Sequence, residues 1–286
     1  MIDEPAPSHA FELSASGVAF AVRGSRGQAP EIGFRPFDSE VLAISPVNEN
    51  VVQPDAFAAH VASLVKGNGK RRDAVVILPD YCVRIAVLDF EAFPGKKEEQ
   101  LSLVRFRMKK TVPFDLDTAA VSFHTQKAGK KTEVVVAAAA REIVARYEAP
   151  FRAAGYLPGY LTTSTLAALD LLPTAGLTLL AKLNGQILTV AICDGRDPKL
   201  VRCVELGELT VEEVMSVLYP TIAYSEDALK RRPDRILACG FGDNATLAEA
   251  CAAELGIEVE ALGSPWGAAQ NNNAGLLGWL AAQEHA

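Results

Sequence analysis

The chain has 286 residues, of which 49% are hydrophobic and 22% charged, and its formal net charge at pH 7 is −7. This composition is typical of a globular protein with a sizeable core and excludes a disordered or low-complexity chain. A net negative charge also argues against nucleic acid as the main partner, because the phosphate backbone would repel such a protein.

Alternating strands and helices are predicted for the first half of the chain. Period-2 runs of apolar residues indicate the strands, and apolar residues at helical spacing indicate the helices. The last of these helices is expected to stop at Gly155, the usual left-handed cap. The predicted elements are a hairpin (Phe11–Ser14 and Val18–Val22), a helix (Asp55–Lys66), two strands (Ala74–Leu78 and Arg84–Phe90), a helix (Glu98–Lys110), two strands (Ala119–Gln126 and Thr132–Ala138) and a helix (Arg141–Ala154).

The second half repeats this theme. The dipeptide Asn184-Gly185 predicts a two-residue hairpin turn, because both positions tolerate positive φ. Thr210 and Glu213 form a capping box at the head of a helix. The predicted elements are a meander (Leu177–Leu183, Ile187–Cys193 and Leu200–Glu205), the helix after Thr210, a strand (Arg235–Ala238), a helix (Asn244–Leu255), a strand (Ile257–Ala261) and a closing helix (Leu276–Ala282). Two halves that each begin with a hairpin or meander indicate a duplicated α/β architecture.

Charge is spread unevenly along the chain. The segment 63–131 holds 14 Lys and Arg residues and 8 Asp and Glu residues, a net charge of +6. The rest of the chain holds 14 basic and 27 acidic residues, a net charge of −13. One interpretation is solvated lysines scattered over loops. The other is a basic surface that faces anionic lipid headgroups or an acidic peptide.

The cysteines and the N-terminus favour a cytoplasmic location. The five cysteines are widely spaced without a C-x-x-C pair, as expected for buried thiols in a reducing compartment. Residues Met1–His9 lack the basic start and apolar core of a signal peptide. The longest unbroken apolar run, Val134–Ala140, is far below the ~20 residues that a transmembrane helix needs. The sequence therefore predicts a soluble, cytoplasmic protein.

Four stretches of the chain together match the pattern of a known family. They are Val75–Pro79 followed by Val83–Leu88, then Arg105–Leu116, then Val134–Tyr147 with Ala153–Tyr156, and finally Asp234–Gly240 with Leu255–Val259 and Pro265. In order and spacing, over most of the chain from Ala74 to Gly267, they resemble the type IV pilus assembly protein PilM family, which belongs to the actin-like ATPase superfamily.

The resemblance implies an α/β, actin-like (ribonuclease H-like) fold of two lobes. The first lobe would comprise residues 1–80 and 134–173, with an inserted subdomain at residues 81–133. Residues 174–286 would form a reduced second lobe. The inserted subdomain coincides with much of the basic segment.

The resemblance also implies a binding role. PilM-like proteins lie at the cytoplasmic face of the inner membrane and bind the short N-terminal tail of the membrane protein PilN, in a groove between the main lobe and the inserted subdomain. A similar partner, and peripheral contact with anionic membrane, are therefore expected here. The candidate partner-binding residues form a stripe on the helix Glu98–Lys110 and its exit: Leu101, Val104, Met108, Val112, Pro113 and Phe114. A stripe at this spacing more usually results from core packing.

Nucleotide chemistry is disfavoured by departures from the family's pattern. Actin-like ATPases hold phosphates and Mg²⁺ with two hairpin loops that carry an Asp, but the corresponding segments here, Leu13–Gly17 and Ala181–Gln186, contain none. We therefore expect no catalytic residues and no bound cofactor. Asp194 or Asp197 could in principle substitute, so an ATPase with unusual loops, or a distant sugar-kinase-like enzyme, remains an alternative.

Two weaker candidates for nucleotide contact remain. Gly240, Gly242 and Asp243 form a glycine turn before a helix, which either binds ATP at the helix N-terminus or is an ordinary turn. Lys182 either contacts phosphate or is a solvated strand end. The four histidines are isolated in sequence and show no metal-ligand spacing. A further variant of the binding hypothesis is the cytoplasmic part of a type II secretion component of the same fold.

Overall fold

The computed structural model describes residues 7–24, 28–64, 72–128 and 131–284. Within these residues four sheets are formed, and most of their strands agree closely with the predicted ones. The strands are β1 (His9–Ser14), β2 (Gly17–Val22), β3 (Glu31–Pro36), β4 (Arg72–Leu78), β5 (Arg84–Phe90), β6 (Ala120–Ala128), β7 (Lys131–Ala139), β8 (Tyr156–Thr163), β9 (Leu177–Asn184), β10 (Ile187–Asp194), β11 (Asp197–Glu205), β12 (Arg235–Cys239), β13 (Val259–Ala261), β14 (Gly263–Ser264) and β15 (Gly267–Ala268).

The helices also follow the sequence pattern, with small shifts at their ends. The helix expected at Asp55–Lys66 ends at Ser63, and residues 65 and 66 lie outside the described residues. The α-helices are α1 (Pro54–Ser63), α2 (Lys97–Met108), α3 (Arg141–Ala153), α4 (Ser164–Ala168), α5 (Val211–Tyr224), α6 (Ala245–Ala250) and α7 (Ala274–Glu284).

The first lobe is built on a five-stranded sheet in the order β3-β2-β1-β4-β8. Strands β1, β2 and β3 form an antiparallel meander, and β1, β4 and β8 run parallel to one another. Helices α1 and α3 pack together beside this sheet and bury the aromatic rings of Phe57, Tyr147 and Phe151. Phe57 contacts both other rings, and Phe151 in turn contacts Phe11 of β1. Strands β3 and β8 were not predicted, because Gly33 and the Pro158-Gly159 pair interrupt their apolar patterns.

The second lobe repeats the same topology. Its sheet has the order β11-β10-β9-β12-β13, with an antiparallel meander (β9 to β11) followed by parallel strands β12 and β13. Of the capping box predicted at the head of α5, the N-cap bond is present, since the backbone N–H of Glu213 donates to Thr210 Oγ1 at 3.3 Å. The duplicated α/β architecture expected from the sequence is therefore confirmed.

The inserted subdomain is a three-stranded antiparallel sheet, β5-β7-β6, covered by α2. Strand β7 continues to Ala139, so this sheet extends beyond the expected boundary at residue 133. Its core contains Phe90, Leu116 and Val134 together with two members of the predicted partner-binding stripe, Val104 and Met108. Both side chains are fully buried. For these two residues, core packing accounts for the helical spacing.

The C-terminal helix α7 packs on the first lobe. It contacts α4 and β1, and its apolar side chains Leu276, Leu277 and Leu280 belong to the same buried cluster as Phe11. Gly278 allows α7 to approach α4 closely, because a Cβ added at this position would lie 2.0 Å from the carbonyl oxygen of Ala167. The end of the chain thus returns to the first lobe, although residues 174–286 were grouped with the second lobe in the proposed division.

Candidate functional site

The tips of two hairpins face each other across the cleft between the lobes. The β1–β2 turn includes Ser14 and Ala15, and the β9–β10 turn includes Asn184 and Gly185. They border a cavity of about 640 Å³. These hairpins are the two that the resemblance aligns with the phosphate loops of actin-like ATPases, and they lack the expected Asp.

A buried lysine fills the inner wall of this cleft. Lys182 on β9 is 3% exposed, and its Nζ lies 2.7 Å from Asp80 Oδ2 and 2.7 Å from Ser164 Oγ, both in the first lobe. The interpretation of Lys182 as a solvated strand end is therefore wrong. Alternate residues of β9 face opposite sides, and Leu179 and Ala181 fill the second core, so Leu180 and Lys182 point at the first lobe.

Asp80 is held by both lobes. Its carboxylate accepts hydrogen bonds from the backbone N–H of Thr165 (2.8 Å) and from Thr165 Oγ1 (2.7 Å) in the first lobe. It also accepts one from Thr189 Oγ1 (3.2 Å) in the second lobe. Burial on its own would raise the pKa of Asp80, but the positive charge of Lys182 and these hydrogen bonds outweigh it and hold the pKa below its ordinary value. Asp80 is therefore an ionised partner for the lysine.

Glu12 is a second buried carboxyl group next to this pair. Ser164 Oγ donates to Glu12 Oε1, and the backbone N–H of Leu276 at the start of α7 donates to Oε2 at 2.7 Å. Burial raises the pKa of Glu12, and the opposing attraction of Lys182 is too small to cancel this effect. Burial on its own would lower the pKa of Lys182. The attraction of the two carboxyl groups, mainly that of Asp80, outweighs burial and raises the pKa above its ordinary value. The lysine thus keeps its charge.

Sequence reasoning missed both carboxyl groups. No acidic residue occurs in either hairpin tip, yet Glu12 lies just before the first tip on β1, and Asp80 follows β4. The signal that could have revealed Glu12 is a lone charge inside an otherwise apolar strand. Each carboxyl group meets a backbone N–H at the start of a helix, Asp80 at α4 and Glu12 at α7, so the chain's own anions occupy positions suited to an anionic ligand.

The glycine turn borders a separate cavity of about 470 Å³ between β12, α5 and α6. Gly240 has φ 86°, and a Cβ there would lie 1.9 Å from the carbonyl oxygen of Leu183, so packing against the hairpin requires glycine. Gly242 has φ 67° with open space around it. Asp243 Oδ1 accepts from the backbone N–H of Ala245 at 3.0 Å and so closes a local turn just before α6. These contacts describe a structural turn beside an open pocket.

The two acidic residues suggested as substitutes lie away from the cleft. Asp194 ends β10, at the opposite end from Ile187 and the hairpin tip, and pairs with Arg231 at 2.9 Å. Asp197 begins β11 beside it and lines a different cavity. Neither residue can therefore serve the phosphate position between the hairpins.

A larger groove runs between the first lobe and the inserted subdomain. Its volume is about 1110 Å³. It is lined by consecutive residues of β6 and of β8, by apolar side chains of β7 including Val135, and by Trp279 of α7. Arg105 of α2 also lines it, and its Nε is buried without a hydrogen-bond partner in the described part of the chain. The groove therefore has mainly apolar walls, charged residues such as Arg141 and Asp197 in its lining, and the unsatisfied donor of Arg105.

The remaining stripe residues are at least partly accessible but do not line this groove. Leu101, Val112 and Phe114 are half-buried, and Pro113 is exposed. Pro113 borders a smaller cavity of about 180 Å³ between the inserted subdomain and β11. The stripe is thus divided between core residues and a separate surface.

Metal and membrane elements are not found among the described residues. All five cysteines are free thiols, and no group of three or more His, Cys, Asp or Glu side chains in the described ranges is arranged to hold a metal ion. Within the same ranges, no helix has the length and apolar character needed to cross a bilayer.

Comparisons with known proteins identify the fold. No family model and no curated protein matches the sequence. Among solved structures, the chain is similar to the PilM-PilN type IV pilus biogenesis complex, with 20% identity, a TM-score of 0.71 and coverage of 98% of this chain and 99% of that chain. It is also similar to the cytoplasmic domain of EpsL, an inner membrane component of the type II secretion system of Vibrio cholerae, with 15% identity, a TM-score of 0.52 and 80% coverage of both chains.

A third similar structure is a protein of unknown function. It is a Bacteroides thetaiotaomicron protein with an actin-like ATPase fold, 12% identical, with a TM-score of 0.54 and coverage of 91% of this chain and 93% of that chain. At these identities the likeness shows the fold alone. The actin-like fold and the structural resemblance to PilM that the sequence predicts are confirmed.

Proposed function

We propose that this chain is a non-catalytic cytoplasmic scaffold of a type IV pilus or related secretion assembly platform. It binds the cytoplasmic tail of an inner-membrane partner similar to PilN and works at the cytoplasmic face of that membrane. The fold that it shares with the PilM-PilN complex and with the cytoplasmic domain of EpsL supports this assignment.

The observation that carries the non-catalytic assignment is the buried Lys182–Asp80 pair in the interlobe cleft. A nucleotide brings negative phosphates and Mg²⁺ into such a cleft, and carboxylates must be free to hold the hydrated metal. Here Asp80 is already saturated by Lys182, Thr165 and Thr189. Removing the lysine from Asp80 would leave a buried charge uncompensated, which costs several kcal/mol.

The groove lined by β6 and β8 is the site that we assign to the partner's tail. It is the largest of the cavities described above, and its walls are mainly apolar. Val104 and Met108 cannot contact a tail because they are fully buried. The accessible members of the predicted stripe, such as Val112, form a second candidate surface that the experiment below separates from the groove.

Contact with anionic membrane is supported by the basic segment 63–131. On α2 and at its exit, Arg107, Lys109 and Lys110 are exposed, and Phe106 beside them is 75% exposed. Each Lys or Arg near an anionic surface contributes roughly 1 kcal/mol to binding. Such a surface would help to hold the scaffold beside its membrane partner.

The alternative function is an actin-like ATPase with unusual phosphate loops. The observation in its favour is the 470 Å³ cavity beside Gly240 and Gly242, which is open next to the second hairpin. If this cavity holds nucleotide, replacing Gly242 by Val should weaken ATP binding. Calorimetric titration with ATP and Mg²⁺ decides between the two: we expect no heat at millimolar ATP, and micromolar binding would overturn the non-catalytic assignment.

Peptide capture tests the scaffold assignment. A fluorescein-labelled peptide of the PilN-like protein's N-terminal tail is titrated with the protein, and binding is followed by fluorescence anisotropy. We expect Tyr160→Asp in the groove to weaken binding at least tenfold. Val112→Asp on the stripe serves as the matched surface control and should change binding less than threefold. The reverse ranking would move the site to the stripe, and no binding by the wild-type protein would overturn the scaffold assignment.

A further inference from the structure

We propose that two copies of this chain pair through β3, the outermost strand of the first lobe, and form a symmetric dimer with one continuous sheet. The inference is independent of the function proposed above. Strand β3 and the groove-lining strand β8 lie at opposite edges of the same sheet, so each copy would keep its groove accessible. The proposal rests on the free backbone groups of β3 and on the order of its side chains.

Strand β3 has one unpaired edge among the described residues. In the order β3-β2-β1-β4-β8 it pairs only with β2, and the side chains of Glu31 and Arg35 are exposed. Phe34 is a large apolar side chain that is 39% exposed. An outermost strand of this kind presents unpaired N–H and C=O groups with which another chain can pair.

The register of β3 with β2 shows which backbone groups are free. The backbone N–H of Phe37, just after β3, donates to the carbonyl oxygen of Ser16 at 3.0 Å. Hydrogen-bonded and free residues alternate along an antiparallel ladder, so every second residue back from Phe37 bonds to β2. The residues between them, Ile32 and Phe34, therefore direct their N–H and C=O groups away from the sheet.

Two prolines limit the free edge to this short stretch. Pro30, just before β3, and Pro36, at its end, are the next residues in the same alternation, and proline has no N–H to donate. Pairing beyond them is disfavoured, so the edge does not template open-ended stacking of strands. The free edge thus suits a single short partner strand.

The side chains of β3 are complementary to an antiparallel copy of the same strand. Pairing with Gly33 at the twofold axis places Glu31 of each copy opposite Arg35 of the other. On the opposite face it places Ile32 against Phe34. Pairs of opposite charge, and pairs of an aromatic with a β-branched residue, both stabilise a sheet. A register shifted by two residues would lose both charge pairs.

The same register satisfies the free backbone groups. Ile32 of each copy and Phe34 of the other exchange both of their backbone hydrogen bonds across the axis. Arg35 is already oriented at this edge, since its Nη1 donates to Ser63 Oγ of α1 at 3.0 Å. Two short strands bury less than the ~1,600 Å² of a standard interface, so we expect weak association, with a Kd on the order of 10–100 µM.

A charge exchange tests the pairing of Glu31 with Arg35. Glu31→Arg and Arg35→Glu each place like charges opposite one another in the dimer, so each should weaken self-association at least tenfold. The double variant with both changes restores opposite charges and should return the Kd to within threefold of the wild-type value. Sedimentation equilibrium measures the average mass, between that of the 30.5 kDa chain and twice that value, from tenfold below to tenfold above the expected Kd.

Recovery in the double variant cannot come from contacts within one chain. Residues four apart on a strand are about 13 Å from each other, too far for a direct ion pair. Arg231→Glu in the second lobe makes the same change of net charge as Arg35→Glu and should leave the Kd within threefold of the wild-type value. A wild-type chain that stays monomeric at every concentration, or a double variant that associates no better than the single ones, would overturn the proposal.

A second experiment uses the unchanged protein. Amide hydrogen exchange is followed by NMR below and above the expected Kd. We expect exchange at Ile32 and Phe34 to slow at least threefold at the higher concentration, because their N–H groups become bonded in the dimer. The N–H of Gly33 already bonds to β2 and should change less. Self-association without slower exchange at Ile32 and Phe34 would place the interface elsewhere and overturn the proposal.

Discussion

Lys182 of the second lobe and Asp80 of the first lobe form a buried ion pair, with 2.7 Å between Nζ and Oδ2. Two further contacts cross between the lobes near this point and at the inserted subdomain. Tyr81 donates from its hydroxyl to Glu205 at 3.3 Å, and Lys199 pairs with Glu133 at 2.6 Å. Side chains thus join the two lobes directly at the Lys182–Asp80 pair, and Tyr81 and Glu133 join the second lobe to the inserted segment.

The first prediction concerns the removal of the buried cation. Lys182→Met keeps most of the volume of the side chain but leaves Asp80 ionised and unpaired in a buried position. Breaking a buried pair in this way costs about 3–5 kcal/mol. We expect urea unfolding to show a loss of this size in the free energy of unfolding.

An exposed pair supplies the matched control. Arg231 and Asp194 are both about half exposed, so Arg231→Met should cost no more than about 1 kcal/mol. The double variant Lys182→Met with Asp80→Asn should recover part of the loss, because the buried charge is also removed. A Lys182→Met protein as stable as the wild type would show that the pair does not hold the lobes together.

The second prediction concerns pH. The pKa of Glu12 is raised by burial from its ordinary value of 4.5. The stability that the fold gains from holding Glu12 protonated is therefore fully present below about pH 4.5. It is lost as the pH rises through the raised pKa of the folded state. Asp80 behaves in the opposite way, because its pKa is lowered and its contribution is lost only in acid, as the pH falls through that lowered value.

Glu12→Gln isolates the first of these two effects. The amide cannot ionise, so the variant should gain stability relative to the wild type as the pH rises from 4.5 to 8. Thermal or urea unfolding at a series of pH values measures this difference. A difference that stays constant across the range would mean that Glu12 is ionised throughout and that burial does not control its pKa.

The sequence predicted the framework of the fold better than the site. Hairpins such as Asn184-Gly185 and capped helices depend on local chemistry, and the order of these elements sufficed to indicate the duplicated architecture. The burial of Lys182 depends on which face of β9 meets the other lobe. The sequence pattern of β9 does not show which face meets the first lobe, because both faces of a strand that lies between two cores are apolar. Glu12 and Asp80 escaped notice for the same reason, since their partner is 100 or more residues away in sequence.

The third prediction distinguishes two glycines of the same turn. Gly240→Ala places a Cβ against the carbonyl oxygen of Leu183, in addition to the cost of positive φ, so we expect a loss of more than about 2 kcal/mol in the free energy of unfolding. Gly242→Ala meets no atom within 4 Å and should lose only about 1–2 kcal/mol from its left-handed φ. Denaturant unfolding compares the two. Equal losses would mean that packing against the hairpin does not explain Gly240.

The fourth prediction concerns the return of the chain to the first lobe. In an isolated helix, Gly278→Ala would stabilise α7 by roughly 1 kcal/mol. In the folded protein the added Cβ would lie 2.0 Å from the carbonyl oxygen of Ala167, so α7 must move away from α4. We expect a net loss of about 1–3 kcal/mol in the free energy of unfolding, as for other overpacked sites.

The contact of α7 with β1 extends this effect to the cleft. Leu276 of α7 donates its backbone N–H to Glu12, so a displaced helix should also weaken that hydrogen bond and raise the rate of amide exchange at Leu276. Ala282→Gly near the end of the same helix is the control, because it lowers helix propensity without touching α4. Its loss should be about 1 kcal/mol, with exchange at Leu276 unchanged. A Gly278→Ala protein that is more stable than the wild type would show that the gain in helix propensity outweighs the close contact. Helix α7 would then tolerate a larger distance from the first lobe.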